Sequence, residues 1–427
     1  MKEQDRMQSD PPVTVTEVDG GTSAGRRLMS RRELIASTST VSAAVTAGLA
    51  VQTQALAQAQ TTEKQELSVP KVKLGKTGMM VSRLACGGSW DIDQEVLALA
   101  YSIGINYIDT AESYRDGQSE RLIGQFLKTI GATGRSVVRK KMWLVTKSHD
   151  HRQFATKLSG SLDRLQQEYV DCVFMHQIRD PKLALDPDIR AQAASVKKSG
   201  KSRFFGFSVH DEPVVECLNA AADSDFIDVI MFRYDCHYYP REDLMKAIDR
   251  CHAKGIGLVA MKTVVGGMTL PDRFDPFKKR GLNQHQAAIK AVAIDPRIHA
   301  ICSEMTTTDM ITQNGAAVAS RLTVAEAEAV KEHATLISHL WCRGCDHICR
   351  SASGAGQSIA VADTLRFLMY HDHYGKKDQA RDLYQGLSFA ERDPETIQAA
   401  DWHAAERACP YDLPLAKLMR RAQDRLT

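Results

Sequence analysis

The stretch Asn106-Tyr-Ile-Asp-Thr-Ala-Glu-Ser-Tyr114 reads as a short apolar strand that runs out into a loop carrying Asp109 and, five residues on, Tyr114. Two later segments have the same form: Lys147 closes Met142-Trp-Leu-Val-Thr-Lys, and His176 closes Asp171-Cys-Val-Phe-Met-His. A strand buried on both faces is apolar along its length, so a lone polar residue at its carboxyl end marks where the chain leaves the sheet. Outward from these three, strands are predicted at Arg83 to Cys86, Phe204 to Ser208, Val229 to Phe232, Gly257 to Lys262 and Ala300 to Ser303. Helical periodicity fills the gaps: Gln94 to Ile103, Ser119 to Thr129, Gln153 to Gln167, Ile189 to Lys198, Pro213 to Ala222, Arg241 to Lys254, Gln284 to Ala293 and Thr308 to Ala319. Eight strand–helix units indicate an α/β chain whose parallel sheet closes as a (β/α)8 TIM barrel. The G-x-G-x-x-G fingerprint of an open dinucleotide-binding sheet is missing after the first strand.

With 427 residues, 43% of them hydrophobic and 25% charged, the chain has ample material for a large core. A formal charge of +3, dispersed along the sequence, argues against nucleic acid as a partner. Residues 1 to 29 are polar and aperiodic. They precede Ser30-Arg31-Arg32-Glu33-Leu34-Ile35 and an uncharged Ala/Ser/Thr/Val run containing Ala55-Leu56-Ala57, which together predict a twin-arginine export signal with cleavage near Ala57. No stable membrane span is expected once the signal is removed, and the location expected is the bacterial periplasm. Leu74-Gly-Lys-Thr-Gly-Met-Met-Val81 predicts a hairpin; its Gly75-Lys-Thr lacks the spacing and following helix of a phosphate loop.

Loops at the carboxyl ends of barrel strands share one face, so Asp109, Tyr114, Lys147 and His176 are expected to converge. A phenol is a poor acid, with an ordinary pKa near ~10. An adjacent ammonium, itself held by a carboxylate, is expected to lower that value and make Tyr114 a proton donor to a developing alkoxide. His176 can orient the same oxygen. The hydride would have to come from a nicotinamide cofactor.

Gly78-Met-Met-Val-Ser-Arg-Leu-Ala-Cys-Gly-Gly, Asp109-Thr-Ala-Glu-Ser-Tyr114 with Gly117-Gln-Ser-Glu-Arg-Leu-Ile-Gly, Val145-Thr-Lys147, and Ser161-Leu-Asp-Arg-Leu with Tyr169-Val-Asp and His176 resemble the aldo/keto reductase family over residues 72 to 320. The resemblance implies NADP(H) or NAD(H), a small-molecule carbonyl or alcohol as substrate, and a catalytic tetrad of Asp109, Tyr114, Lys147 and His176 with Tyr114 as general acid/base. On the cofactor side Ser208 matches a carboxamide-holding serine, but Val209 and Met231 stand where the family usually has Asn and Gln. Met261, Lys262, Gly266 and Gly267 are the expected cradle for the pyrophosphate. Thr306, Asp309 and Asn314 resemble the adenosine-phosphate segment, which here lacks its usual Arg.

Residues 321 to 427 form a helical appendage, predicted at Val324 to His339, Ile359 to Tyr370, Lys376 to Tyr384, Thr396 to Ala408 and Leu415 to Leu426. Of the ten cysteines, four fall here as Cys342-x2-Cys345-x3-Cys349 and Cys409-Pro410. The last pair resembles the end of a ferredoxin-type loop. Ala399, Trp402 and Ala405 occupy the positions where that loop would carry its other cysteines, so Cys409 is the expected fourth ligand to the upstream three. A [4Fe-4S] cluster, tetrahedral zinc and disulfides all suit four such thiols. Export after folding fits a cofactor-loaded protein. The alternative to an active reductase is a catalytically weak nucleotide-sensing or electron-transfer protein, with a redox partner, that uses the same barrel and cluster.

Overall fold

Eight strands that are apolar on both faces can hide those faces only by closing on themselves and wrapping the outside in helices. In the computed structural model, which describes residues 67–427 apart from 90–91, 211–212, 237–240, 264–278, 322, 338–341, 357 and 374, they do so. The barrel strands are β3 (Leu84–Gly87), β4 (Tyr107–Asp109), β5 (Trp143–Ser148), β6 (Val170–Met175), β7 (Ser202–Val209), β8 (Val229–Arg233), β9 (Gly257–Met261) and β10 (Ala300–Glu304). Neighbours in sequence are neighbours in the barrel, all pairs are parallel, and β10 closes onto β3. The predicted hairpin is β1 (Lys71–Lys73) with β2 (Met80–Ser82), and Leu74 at its tip is fully buried.

Side chains alternate between two cores. Ala85, Tyr107, Val145, Cys172, Phe174, Val229 and Val259 fill the barrel interior with Leu74. Leu84, Ile108, Leu144, Val173, Phe205 and Ile230 face outward against the helices. Gly206 in β7 is where this packing leaves no room: a Cβ there would lie 1.9 Å from the Val229 carbonyl oxygen and 2.9 Å from a Phe174 ring carbon. Gly206→Ala is therefore expected to push β7 off β8 and cost about 3 kcal/mol or more, read as a lower urea midpoint.

The crossover helices follow the prediction: α1 (Gln94–Ser102), α2 (Gln118–Thr129), α4 (Phe154–Leu165), α5 (Pro187–Lys198), α6 (Val214–Asp223), α7 (Glu242–Ala253), α8 (Gln284–Ala293) and α9 (Thr308–Ala319). One short helix, α3 (Val137–Lys141), was not anticipated. Its Arg139 is fully buried and donates to Asp171, Gln167 and the Tyr169 carbonyl, a network beneath β5 and β6.

The appendage comprises α10 (Val324–Ile337), α11 (Asp346–Ser353), α12 (Val361–His373), α13 (Lys377–Gln385), α14 (Pro394–Ala399), α15 (Trp402–Ala408) and α16 (Leu415–Leu426). The helix α11, which carries Cys349, is not among the predicted ones, and one expectation needs correction: the single helix expected from Thr396 to Ala408 is broken. Ala400 is extended, and the Asp401 carboxylate caps α15 by accepting from the Ala404 amide at 2.9 Å. Among the described residues no helix is long and apolar enough to cross a membrane. The export-signal segment lies outside the described residues.

Candidate active site

The carboxyl ends of β4, β5 and β6 bring the four predicted residues together. Asp109 and Lys147 are 2% exposed and His176 is 4% exposed, so each is held by its strand rather than by solvent. The Lys147 ammonium is ion-paired to Asp109, donates to the Thr110 carbonyl at 2.8 Å and lies 3.3 Å from the Tyr114 hydroxyl. The Tyr114 and His176 rings meet edge to face at 5.5 Å between centroids.

The loop carrying Tyr114 is clamped to the next strand. Thr110 and Glu112 donate their amides to the Val145 and Lys147 carbonyls, and the Ser148 hydroxyl donates to Glu112 at 2.6 Å. The motif after Tyr114 is the support of this loop: Ser119 shares a 2.7 Å hydrogen bond with Thr110, and buried Glu120 accepts from Thr146 and Arg164. Arg115, Asp116 and Gly117 follow Tyr114 with φ of +51°, +53° and +79°. Two of these three left-handed positions are not glycine, so the turn that aims Tyr114 holds backbone strain.

The electrostatics correct one expectation. Burial outweighs the neighbouring Lys147 ammonium, and Asp109 offsets it further, so the Tyr114 phenol sits above its ordinary value, not below it. A phenol of this kind keeps its proton at neutral pH, which suits a donor to a developing alkoxide. Burial likewise pushes Asp109 up, against the pull of Lys147. For Lys147 burial alone would favour the neutral amine, but Asp109 and Tyr114 more than compensate, and the ammonium is strengthened. Burial and the nearby Lys147 push His176 well down, leaving a neutral imidazole. Among the described residues its Nδ1 and Asp109 Oδ2 are buried without a hydrogen-bond partner.

His176 stands among other imidazoles that were not singled out from the sequence. His149 stacks on it at 4.1 Å, His210 meets it at 5.7 Å, and His151 Nε2 is 2.8 Å from its carbonyl oxygen. His149 follows Lys147 by two residues and His210 ends Gly206-Phe-Ser-Val-His, so their placement at strand ends was the available signal.

The predicted cofactor residues are spread around the same rim. Ser208 is fully buried, and its Oγ accepts from the Gln177 amide at 2.9 Å, which leaves the hydroxyl proton for a ligand. Met261 packs into the barrel interior, while Lys262 leaves β9 in a left-handed conformation. Asn314 is 7% exposed with its amide 3.4 Å from the Ser303 hydroxyl, Asp309 is exposed in the first turn of α9, and Thr306 lies just before that helix. Gly266 and Gly267 lie outside the described residues. Gly87 and Gly88 leave the end of β3 without side chains. An available hydroxyl proton on Ser208, with His176 Nδ1 and Asp109 Oδ2 lacking partners among the described residues, fits a polar ligand laid over the tetrad.

The appendage reaches this face. Arg179, beyond β6, pairs with Asp363 of α12 at 2.9 Å, and Arg233 at the end of β8 donates to the Cys342 carbonyl at 3.4 Å. Cys342, Cys345, Cys349 and Cys409 line one small pocket, together with fully buried Arg343, whose guanidinium lies 5.4 Å from the Tyr411 ring centre. Burial, with Cys342, Asp346 and Cys409 adding, pushes the Cys349 thiol up to about 12. Among the described residues no three His, Cys, Asp or Glu side chains are gathered closely enough to hold a single metal ion.

Solved structures share the barrel. An aldo-keto reductase from Klebsiella pneumoniae in complex with NADPH is 20% identical, with TM-score 0.51 over 62% of this chain and 95% of its own. A Klebsiella pneumoniae aldo/keto reductase in complex with NADP and acetate is 22% identical, with TM-score 0.52 and the same coverage. A thermostable aldo-keto reductase bound to the inhibitor epalrestat is 23% identical, with TM-score 0.51 over 61% of this chain and 98% of its own. At these identities the likeness establishes the fold. The family model for the aldo/keto reductase family matches residues 90–335, more than half of the sequence, and the chain belongs to that family of oxidoreductases.

Proposed function

We propose that the chain is an exported NAD(P)-dependent reductase that interconverts a small carbonyl compound and its alcohol, with Tyr114 as general acid/base. The observation that carries this reading is the buried Asp109–Lys147 pair, with Tyr114 Oη 3.3 Å from Lys147 Nζ. A nicotinamide cofactor, as in the Klebsiella structures, would supply the hydride to the carbonyl carbon. In the reductive direction Tyr114 gives its proton to the substrate oxygen as negative charge develops there. Lys147 stabilises the phenolate left behind, and Asp109 keeps Lys147 charged and in place. Neutral His176 donates a second hydrogen bond to the same oxygen. Ser208 would hold the carboxamide, and Lys262 with Gly266 and Gly267 would lie along the pyrophosphate. The segment Thr306, Asp309 and Asn314 would flank the adenosine end. The test is a fluorescence titration with NADPH and NADH, followed by reduction of an aldehyde panel. A chain that binds neither dinucleotide contradicts the reading.

The domain plan proposed with it is a twin-arginine signal over residues 1–57, a barrel over 72–320 and an iron–sulfur appendage over 321–427, in a periplasmic protein. Four cysteines from distant segments around one pocket support a [4Fe-4S] cluster. A lone tetrahedral zinc needs every sulfur about 2.3 Å from one point. A cluster brings its own iron and sulfide and bridges thiols that stand farther apart, and buried Arg343 would offset its negative charge. Anaerobically isolated protein is expected to carry iron and acid-labile sulfide in equal amounts, and Cys349→Ser to lose most of both. Zinc without sulfide in the wild type would contradict the cluster.

A further inference from the structure

The strand that closes the barrel ends in a carboxyl for which the tetrad has no use. Glu304 is the last residue of β10 and lies in register with Gly87 of β3. Its side chain occupies the space a residue other than glycine would fill there: a Cβ on Gly87 would come within 3.1 Å of Glu304 Cγ. It makes no hydrogen bond or ion pair to any described residue. The charged and titratable groups that face it come from every neighbouring element: Asp109 and Lys147 of β4 and β5, Tyr114 from the loop after β4, Lys262 beyond β9, Lys376 of the appendage, and Cys302 on its own strand. An unpartnered acid on the same rim as the proton donor awaits a ligand group that complements it.

We infer that Glu304 is the electrostatic partner of the positive charge on the nicotinamide ring, and so binds the oxidised dinucleotide in preference to the reduced one. The inference rests on the dinucleotide reading above. A carbonyl oxygen protonated by Tyr114 fixes its carbon nearby, and the ring that gives up a hydride must lie against that carbon. The ring is neutral before transfer and cationic after it, so a carboxylate on this rim stabilises the charge that appears as the hydride leaves.

The proton linkage has a definite sign. Burial pushes the free Glu304 carboxyl up to about 8, with Lys376, Lys147 and Lys262 opposing, so at pH 7 the unliganded protein mostly holds that proton. A bound pyridinium favours the carboxylate and expels the proton, whereas the neutral reduced ring does not. Affinity for the oxidised form should therefore rise about tenfold between pH 7 and pH 9, while affinity for the reduced form stays flat.

The experiment is calorimetry and fluorescence titration of the full chain with NAD⁺, NADH, NADP⁺ and NADPH across that range, in buffers of different ionisation enthalpy. The expected result is release of most of one proton at pH 7 on binding the oxidised form only. Glu304→Gln is isosteric and removes a half-buried acid, so it should fold; in it both the proton release and the pH dependence should vanish, and Glu304→Asp should restore part of each. Binding of both forms with a pH-independent ratio, or an unchanged pH dependence in Glu304→Gln, overturns the assignment of Glu304 alone. Failure of all four dinucleotides to bind at any pH overturns the dinucleotide reading, and this inference with it.

Discussion

Tyr114→Phe is expected to lower the rate of carbonyl reduction roughly 10²–10⁴-fold while leaving dinucleotide affinity within a factor of two. The ring stays, so its edge-to-face contact with His176 and its place above the Lys147 ammonium survive. Only the hydroxyl that lies 3.3 Å from Lys147 is lost. The phenol is raised above its ordinary value by burial, and the wild type should therefore keep its acid form well above neutral pH. Single-turnover kinetics separates the outcomes: a slowed hydride step with unchanged binding fits a proton donor, whereas a weakened binding step with normal chemistry fits a packing residue. A Tyr114→Phe protein with full activity would remove Tyr114 from the mechanism.

Lys147→Met is expected to lose activity to a similar degree and stability as well. Lys147 is the ion-pair partner of Asp109, and both are almost fully buried. Removing one member of a buried pair costs about 3–5 kcal/mol when the other stays charged. Asp109 can escape part of that cost by taking a proton, since burial already pushes it up and Lys147 is what opposes the push. The sign follows from linkage. In the variant the folded protein holds a proton that the unfolded chain gives up above about pH 4, so its stability should fall as pH rises from there. Urea unfolding of the variant at pH 5 and pH 8 should show the lower midpoint at pH 8. Adding Asp109→Asn should recover stability without recovering turnover, because the buried charge disappears while Tyr114 still lacks its ammonium. A double variant no more stable than Lys147→Met would contradict this account of the pair.

The barrel was legible because strands buried on both faces leave a signal no crossover helix imitates. All eight predicted strands are present, displaced at their ends by two residues at most. The tetrad was legible for the same reason, as polar residues terminating apolar runs. Glu304 was hidden because Cys302-Ser303-Glu304 reads as a strand fading into a loop, and only the closure of β10 onto β3 brings it to the rim that carries Tyr114. Lys376 could not be placed from sequence at all, since it belongs to the appendage and meets the rim through tertiary packing. The shift of Tyr114 was misjudged because pairing with an ammonium is visible in a motif, while the desolvation that outweighs it depends on everything packed around the ring. The break at Ala400 and Asp401 had a readable cap, but the apolar spacing ran through it and carried the prediction.

The most direct measurement of the central claim is isotope transfer. A dinucleotide carrying deuterium on the reactive ring carbon is incubated with the purified chain and a small aldehyde, and the alcohol is examined by mass spectrometry and NMR. The account predicts one deuterium on the carbinol carbon and a proton from solvent on its oxygen, with the transfer slowed in Tyr114→Phe. An alcohol formed without deuterium, or no turnover of any aldehyde by a chain that binds the dinucleotide, would contradict it.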